Sequence, residues 1–160
     1  MPNLGPNIQS LRVFISYPGK DGLHEARQAA TILNQYGHKP WLYEQHSTLG
    51  ATLFREIAVC IRKRSDVLLY ICTDSSLGSW GQQLEAGYAL SNRYVKIMVV
   101  SLNNAQIPDE LTAFNYARVQ SNEFQKRLQV IASDLPAIVE RIQRLDKEIK
   151  ANTIAWCNIV

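Results

Sequence analysis

The sequence predicts a soluble α/β domain built on a doubly wound parallel sheet, with its working surface at the carboxyl ends of the strands. Three observations point there. Short apolar runs alternate with amphipathic stretches, and each connection is long enough for a right-handed crossover. The run Val67-Leu68-Leu69-Tyr70-Ile71-Cys72 is apolar without alternation, as a strand covered by helices on both faces must be. At 160 residues and 46% apolar content, the chain suits one well-buried domain rather than two.

The elements follow in order. Leu11 to Tyr17 is a β-branched and aromatic run stopped by Pro18-Gly19, which reads as a first strand ending in a loop. Leu23, Ala26, Ala30, Leu33 and Tyr36 recur at helical spacing, and Gly37 follows as a terminator. His38 to Tyr43 forms a second strand, and Glu44 to Gly50, with neither period, a loop. Leu53, Ile57, Cys60 and Ile61 mark a helix ending near Arg64. The apolar third strand is followed by a polar loop through Ser79 that can cap a helix from Trp80 to Asn92. Val95 to Val100 is a fourth strand and Tyr116 to Val119 a short fifth. The remainder is helical, with Phe124, Leu128 and Ile131 before Pro136 and Ile138, Ile142, Leu145 and Ile149 after it. The proline should start a new helix or kink the old one.

Composition excludes several classes. Seventeen basic against fourteen acidic side chains leave a net charge of only +3, dispersed along the chain, which does not argue for nucleic acid. The densest basic run, Arg62-Lys63-Arg64, reads as the solvated end of a helix whose dipole favours cations there. Cys60, Cys72 and Cys157 lack metal-ligand spacing and read as reduced thiols of a cytoplasmic protein. The first residues lack an export pattern, and no run is long enough to span a membrane.

The chemistry-bearing motifs are few. Pro18-Gly19-Lys20-Asp21-Gly22 follows a strand but matches neither a dinucleotide fingerprint nor a P-loop. No H-E-x-x-H occurs, and His24, His38 and His46 are too dispersed for a metal site. Ser16, His46 and Asp74 could be composed into a triad, as in almost any chain of this length. Glu85 stands out more: it lies early in a helix whose amino end faces the ligand side of the sheet. That position has two readings, a functional carboxylate or one stabilised by the helix dipole. Gly87 two residues on costs helix stability, which suggests that something packs closely against it.

Together these segments resemble the TIR (Toll/interleukin-1 receptor) domain of bacterial type. Val13-Phe14-Ile15-Ser16-Tyr17 with Asp21 is similar to its opening box, Gly37 and Trp41 to its second strand, and the loop ending at Gly50 with Leu53 and Ile57 to its BB loop and following helix. Ser65-Asp66-Val67-Leu68-Leu69 resembles its third-strand box, and Ser79-Trp80 with Glu85-Ala86-Gly87-Tyr88-Ala89 its Ser-x-Trp…Glu signature. Two departures stand out: Glu85 falls five residues after Trp80 where the family usually has four, and Glu44 stands where an aspartate is common. The resemblance implies a flavodoxin-like three-layer sandwich with five parallel strands in the order 2-1-3-4-5. Residues 1–9 would be a flexible lead, 10–150 the domain and 151–160 a tail.

It also implies a function. Many family members cleave NAD+ at the nicotinamide-ribose bond, giving ADP-ribose or a cyclic isomer used as a signal in antiviral defence; others are adaptors that assemble through TIR–TIR contacts. On that pattern Glu85 would be catalytic, and Ser16, Tyr17, Trp41, His46, Gly50, Ser79 and Trp80 would meet the substrate. NAD+ would be substrate, with no tightly bound cofactor and no metal. Partners would be other copies of the chain and a separate effector reading the product, with no nucleic acid and no membrane. Two alternatives stay open: a non-enzymatic adaptor or self-assembly module, and an enzyme like the nucleoside 2'-deoxyribosyltransferases, which pair a nucleophilic glutamate with a Glu-x-Gly-x-Ala helix. Trp80, Tyr17 and Trp41 can equally be core aromatics, and Ser16 can cap its own backbone.

Overall fold

The computed structural model describes the backbone of residues 9–46 and 49–157, and the side chains as far as residue 152. Most of the expected lead, Ser47 and Thr48 of the expected loop, and the end of the expected tail fall outside the described residues.

The first strand, β1 (Arg12–Ser16), feeds the helix α1 (Leu23–Gln35), which ends where Gly37 takes a φ of 82°. That conformation is costly for any residue with a Cβ, so the glycine stops the helix and turns the chain into β2 (Lys39–Trp41). The expected loop after β2 opens instead with a single helical turn, α2 (Tyr43–His46), closed by backbone bonds from Gln45 and His46 to the Leu42 carbonyl. Four residues carry no periodicity, so a turn of this length leaves no mark in a hydrophobic pattern. Then come α3 (Leu53–Arg64), β3 (Val67–Cys72), α4 (Trp80–Leu90), β4 (Lys96–Leu102), β5 (Tyr116–Val119) and α5 (Phe124–Cys157).

All neighbouring strands run parallel, in the order β2-β1-β3-β4-β5, so the molecule is a flavodoxin-like three-layer sandwich. The two-residue period of the strands decides which helix each side chain meets. Val13, Ile15, Leu69 and Ile71 join the core under α1 and α5. Phe14, Leu68, Tyr70 and Cys72 join the core under α3 and α4. Ser16 keeps the parity of Phe14, so its hydroxyl falls on the α4 side at the carboxyl end of β1, in register with Tyr70. This alternation explains why β3, central and buried throughout, reads as an unbroken apolar run.

The basic residues Arg62, Lys63 and Arg64 close α3 in solvent, as a helix carboxyl end favours, and Arg62 also lies 4.9 Å from the centroid of the Tyr88 ring. Pro136 lies inside α5, which continues through it as one helix of 34 residues, because the sheet beneath holds Leu128, Ile131, Leu135 and Val139 on either side of the proline. Cys60 and Cys72 are buried and free; the Cys157 side chain is outside the described set.

Candidate active site

The carboxyl ends of β1 and β3 are braced before any ligand group is considered. The Thr73 hydroxyl donates to Asp21 Oδ1 at 2.5 Å and accepts from the Ser75 N–H, while Ser76 Oγ accepts from the Thr73 N–H. Gly22 N–H donates to the Pro18 carbonyl, and a Cβ at position 22 would lie 2.8 Å from Pro18 Cδ, so this tight corner needs glycine. Asp21 of the opening box is therefore a strut between two loops. Asp66 works at the opposite end of the sheet: its carboxylate accepts from the Arg12 N–H and guanidinium at 2.8 to 3.1 Å, and Ser65 Oγ donates to the Cys60 carbonyl. The Arg12 charge and N–H bonds hold the Asp66 carboxyl below its usual range against the opposing effect of burial, which is the largest single influence on it. The third-strand box thus pins the strands together, far from the ligand end.

Glu85 stands one turn into α4, on the flank turned towards β1. Ser79 caps this helix, its Oγ accepting from the Gln82 N–H at 3.3 Å, and the helix begins with Trp80. Position 85 is half-buried as a residue, but its Oε2 is shut off from solvent and has no hydrogen-bond partner. Glu85 makes no ion pair among the described residues. Burial pushes its carboxyl up to about 8, against a smaller opposing pull from the nearby Ser16 hydroxyl, which does not complete a hydrogen bond. At pH 7 the group is mostly a neutral acid, by about ten to one.

Two further polar atoms share this condition. Ser16 is fully buried with an unpartnered Oγ. Gln82, one turn before Glu85 on the same face, donates from Nε2 to the Ile71 carbonyl at 2.9 Å and leaves Oε1 unpaired. Buried polar atoms without protein partners are uncommon in folded proteins and cost free energy, so three of them at the carboxyl ends of the strands mark a place that takes water or a polar ligand. Gln82 and Tyr70 escape the sequence reading. A glutamine one helical turn before a candidate acid was the available signal for Gln82.

Tyr17 keeps the parity of Ile15 and packs against the α1/α5 core, on the other side of the sheet from Ser16. Burial raises its phenol above the ordinary range, as do the charges of Glu44 and Glu85, while a hydrogen bond with the Glu44 backbone opposes them. Tyr70 is raised too, by burial first and then by Cys72, Glu110 and Glu85. The α2 turn is held over Tyr17 by an ion pair between Arg27 of α1 and Glu44, whose carboxyl the guanidinium keeps low.

The other expected site residues are scattered. Trp41 stacks on Phe14 at 4.7 Å and lies 6.3 Å from the His46 ring, as part of the α3/α4 core. His46 accepts from the Leu42 N–H at 3.0 Å, which ties the ring to its own turn. Gly50 is exposed with a φ of 88°, a turn glycine with open space around it. Trp80 is 56% exposed, its ring perpendicular to that of Phe54 at 5.0 Å. Since Trp80 is already helical, five residues at about 100° each put Glu85 on a different side of α4, and the two do not share a pocket here. The expectation that something packs against Gly87 is corrected: a Cβ there would meet only open space. The carboxyl-end rim also holds a cleft of about 370 Å³ lined by Pro18, Gly19, Lys20, Asp74, Ser75, Gly78 and Ser79. Of the expected substrate residues only Ser79 borders it, and Glu85 does not. Among the described residues no group of three or more His, Cys, Asp or Glu could hold a metal ion, and no helix is long and apolar enough to cross a membrane.

The doubly wound sheet with strand order 2-1-3-4-5 places the chain among flavodoxin-like α/β domains. Within that class, the model of the TIR domain matches residues 13–131, so the chain belongs to the TIR domain family. No curated protein sequence matches it. Among solved structures, the TIR domain of the Toll-related receptor TRR-2 from Hydra magnipapillata is similar, with a TM-score of 0.64 at 17% identity over 80% of this chain and 97% of that one. The flavodiiron core of Flv1 from Synechocystis is similar at a TM-score of 0.57 and 16% identity, over 84% of this chain and 37% of that one. The diflavin flavoprotein A3 from Nostoc gives 0.51 at 18% identity, over 88% and 99%. At these identities the likeness is one of fold.

Proposed function

We propose that this chain works as a TIR self-assembly module that engages other copies through the face at the carboxyl ends of its strands. The observation that carries this is the aromatic pair Phe54 and Trp80, 46% and 56% exposed and already seated edge to face at the amino ends of α3 and α4. Aromatic rings held rigid in solvent lose little entropy when covered, and such residues dominate protein interfaces. Tyr43 and Leu77, which follow β2 and β3, are also exposed at the carboxyl ends of the strands. Sedimentation velocity over a wide concentration range tests the reading. The wild type is expected to form larger species as concentration rises, and Phe54→Asp with Trp80→Asp to weaken that by at least about tenfold. A wild type that stays monomeric throughout contradicts it.

A second reading, that assembly serves NAD+ cleavage in the manner of bacterial-type members, is favoured by Glu85. An acid kept buried, unpaired and close to neutral pH is the kind of group that functional sites maintain at a cost to stability. Nicotinamide departs from the ribose as a neutral base, so no general acid is needed, and the remaining task is to stabilise positive charge growing at the sugar carbon. Glu85 does this only when ionised. Approach of the cationic pyridinium ring favours that ionised form. Water as the attacking group gives ADP-ribose, and a group of the same substrate gives a cyclic isomer, which a separate effector would sense in the cytoplasm. Free nicotinamide released by concentrated protein tests this reading, and its absence at every concentration overturns it.

A further inference from the structure

The long helix α5 carries more apolar surface than its own domain covers. Its 34 residues span about 50 Å, whereas β4, with seven residues, spans about 23 Å. Along α5 the apolar residues recur at alternating steps of three and four, the period that keeps a stripe aligned with a partner helix. Leu128, Ile131 and Leu135 spend the stripe's first half in the domain core. In its second half Ile138 and Ile142 are only half-buried, and Leu145 and Ile149 are 52% and 64% exposed.

We propose that two copies of this chain pair antiparallel through the distal half of α5. One flank of the stripe is already taken, because Asp146 reaches back to Lys96 at the start of β4, at 2.6 Å. A partner helix is therefore met from the other flank, which carries Arg141 and Glu148, both exposed and neither in an ion pair among the described residues. Setting Ile142 opposite the partner's Leu145 brings Ile138 opposite the partner's Ile149. In that same register Arg141 falls opposite the partner's Glu148. The two-fold axis repeats each contact, giving four apolar layers flanked by two ion pairs. A parallel pair would set Arg141 against Asp146, which Lys96 already holds. The surface lies apart from the Phe54 and Trp80 rim, so the two associations are separable.

Charge reversal at the flank provides the test, read by sedimentation equilibrium of the full chain. The wild type is expected to dimerise below roughly 100 µM. Arg141→Glu alone, or Glu148→Arg alone, sets like charges together twice and weakens the dimer about tenfold. The double variant restores it. Residues 141 and 148 are two turns apart on one helix and do not touch within a copy, so rescue requires the partner. Circular dichroism of these exposed variants is expected to match the wild type. A chain that is monomeric at that concentration, or a dimer indifferent to both reversals but lost with Phe54→Asp and Trp80→Asp, overturns the proposal.

Discussion

Glu85→Gln is expected to raise the melting temperature at pH 8.5 by about 5–10 °C, and in the NAD+-cleaving reading to reduce nicotinamide release at least about a hundredfold. Both effects have one cause. In the unfolded chain the carboxyl titrates near 4.5, and in the folded protein near 8, because burial disfavours its charge. Between those values the folded state holds a proton that the unfolded state releases. Stability from this group is therefore complete below about pH 4.5 and is lost as pH rises through 8, by up to about 1.4 kcal/mol per pH unit. Glutamine keeps the shape, carries no charge at any pH and removes that slope. A melting curve that depends on pH in the same way for both proteins contradicts the assignment. In the NAD+-cleaving reading, the same protonation makes nicotinamide release climb with pH towards 8, with the midpoint moving lower when assembly or substrate favours the anion.

The second large effect is expected at His38. This side chain is 3% exposed; its Nδ1 accepts from the Leu11 N–H at 3.3 Å, and its Nε2 donates to the Ala132 carbonyl at 2.8 Å. It thus joins the entry to β1 with the first third of α5, where Ala132 lies 94 residues from His38 in the chain. His38→Ala leaves two buried backbone groups without partners as well as a cavity, and is expected to cost about 2–5 kcal/mol. Urea unfolding measures it, as a lower midpoint with an unchanged slope. A loss below about 0.5 kcal/mol, the range of surface substitutions, contradicts the bracing role.

The fold was legible in the sequence because its signals are long or doubly determined. β3 could not be an exposed strand with six apolar residues in succession, and Gly37 had to end α1 because the next turn takes a positive φ. The α2 turn was not legible, since four residues have no period. At Pro136 the sequence left open a new helix or a kink in the old one, and the single helix α5 rules out the first, packing on the sheet outweighing the lost backbone bond. At the site, the sequence singled out Glu85 and Ser16, which the fold brings together by strand parity and helix phase. It grouped Trp41, His46, Gly50 and Trp80 with them because they lie in neighbouring loops. Only coordinates separate a stacked core ring such as Trp41 from an exposed one such as Trp80. The Asp21 and Asp66 boxes prove to be braces, a role that spacing along the chain does not distinguish from ligand binding.

The state of the acid on α4 can be read directly by following the ¹³C shift of the Glu85 side-chain carboxyl, assigned with Glu85→Gln, from pH 4 to pH 10. A midpoint near 8 is the expected result. A midpoint close to 4.5 would mean that the group is hydrated and already charged above about pH 5, and would contradict an acid held neutral by burial.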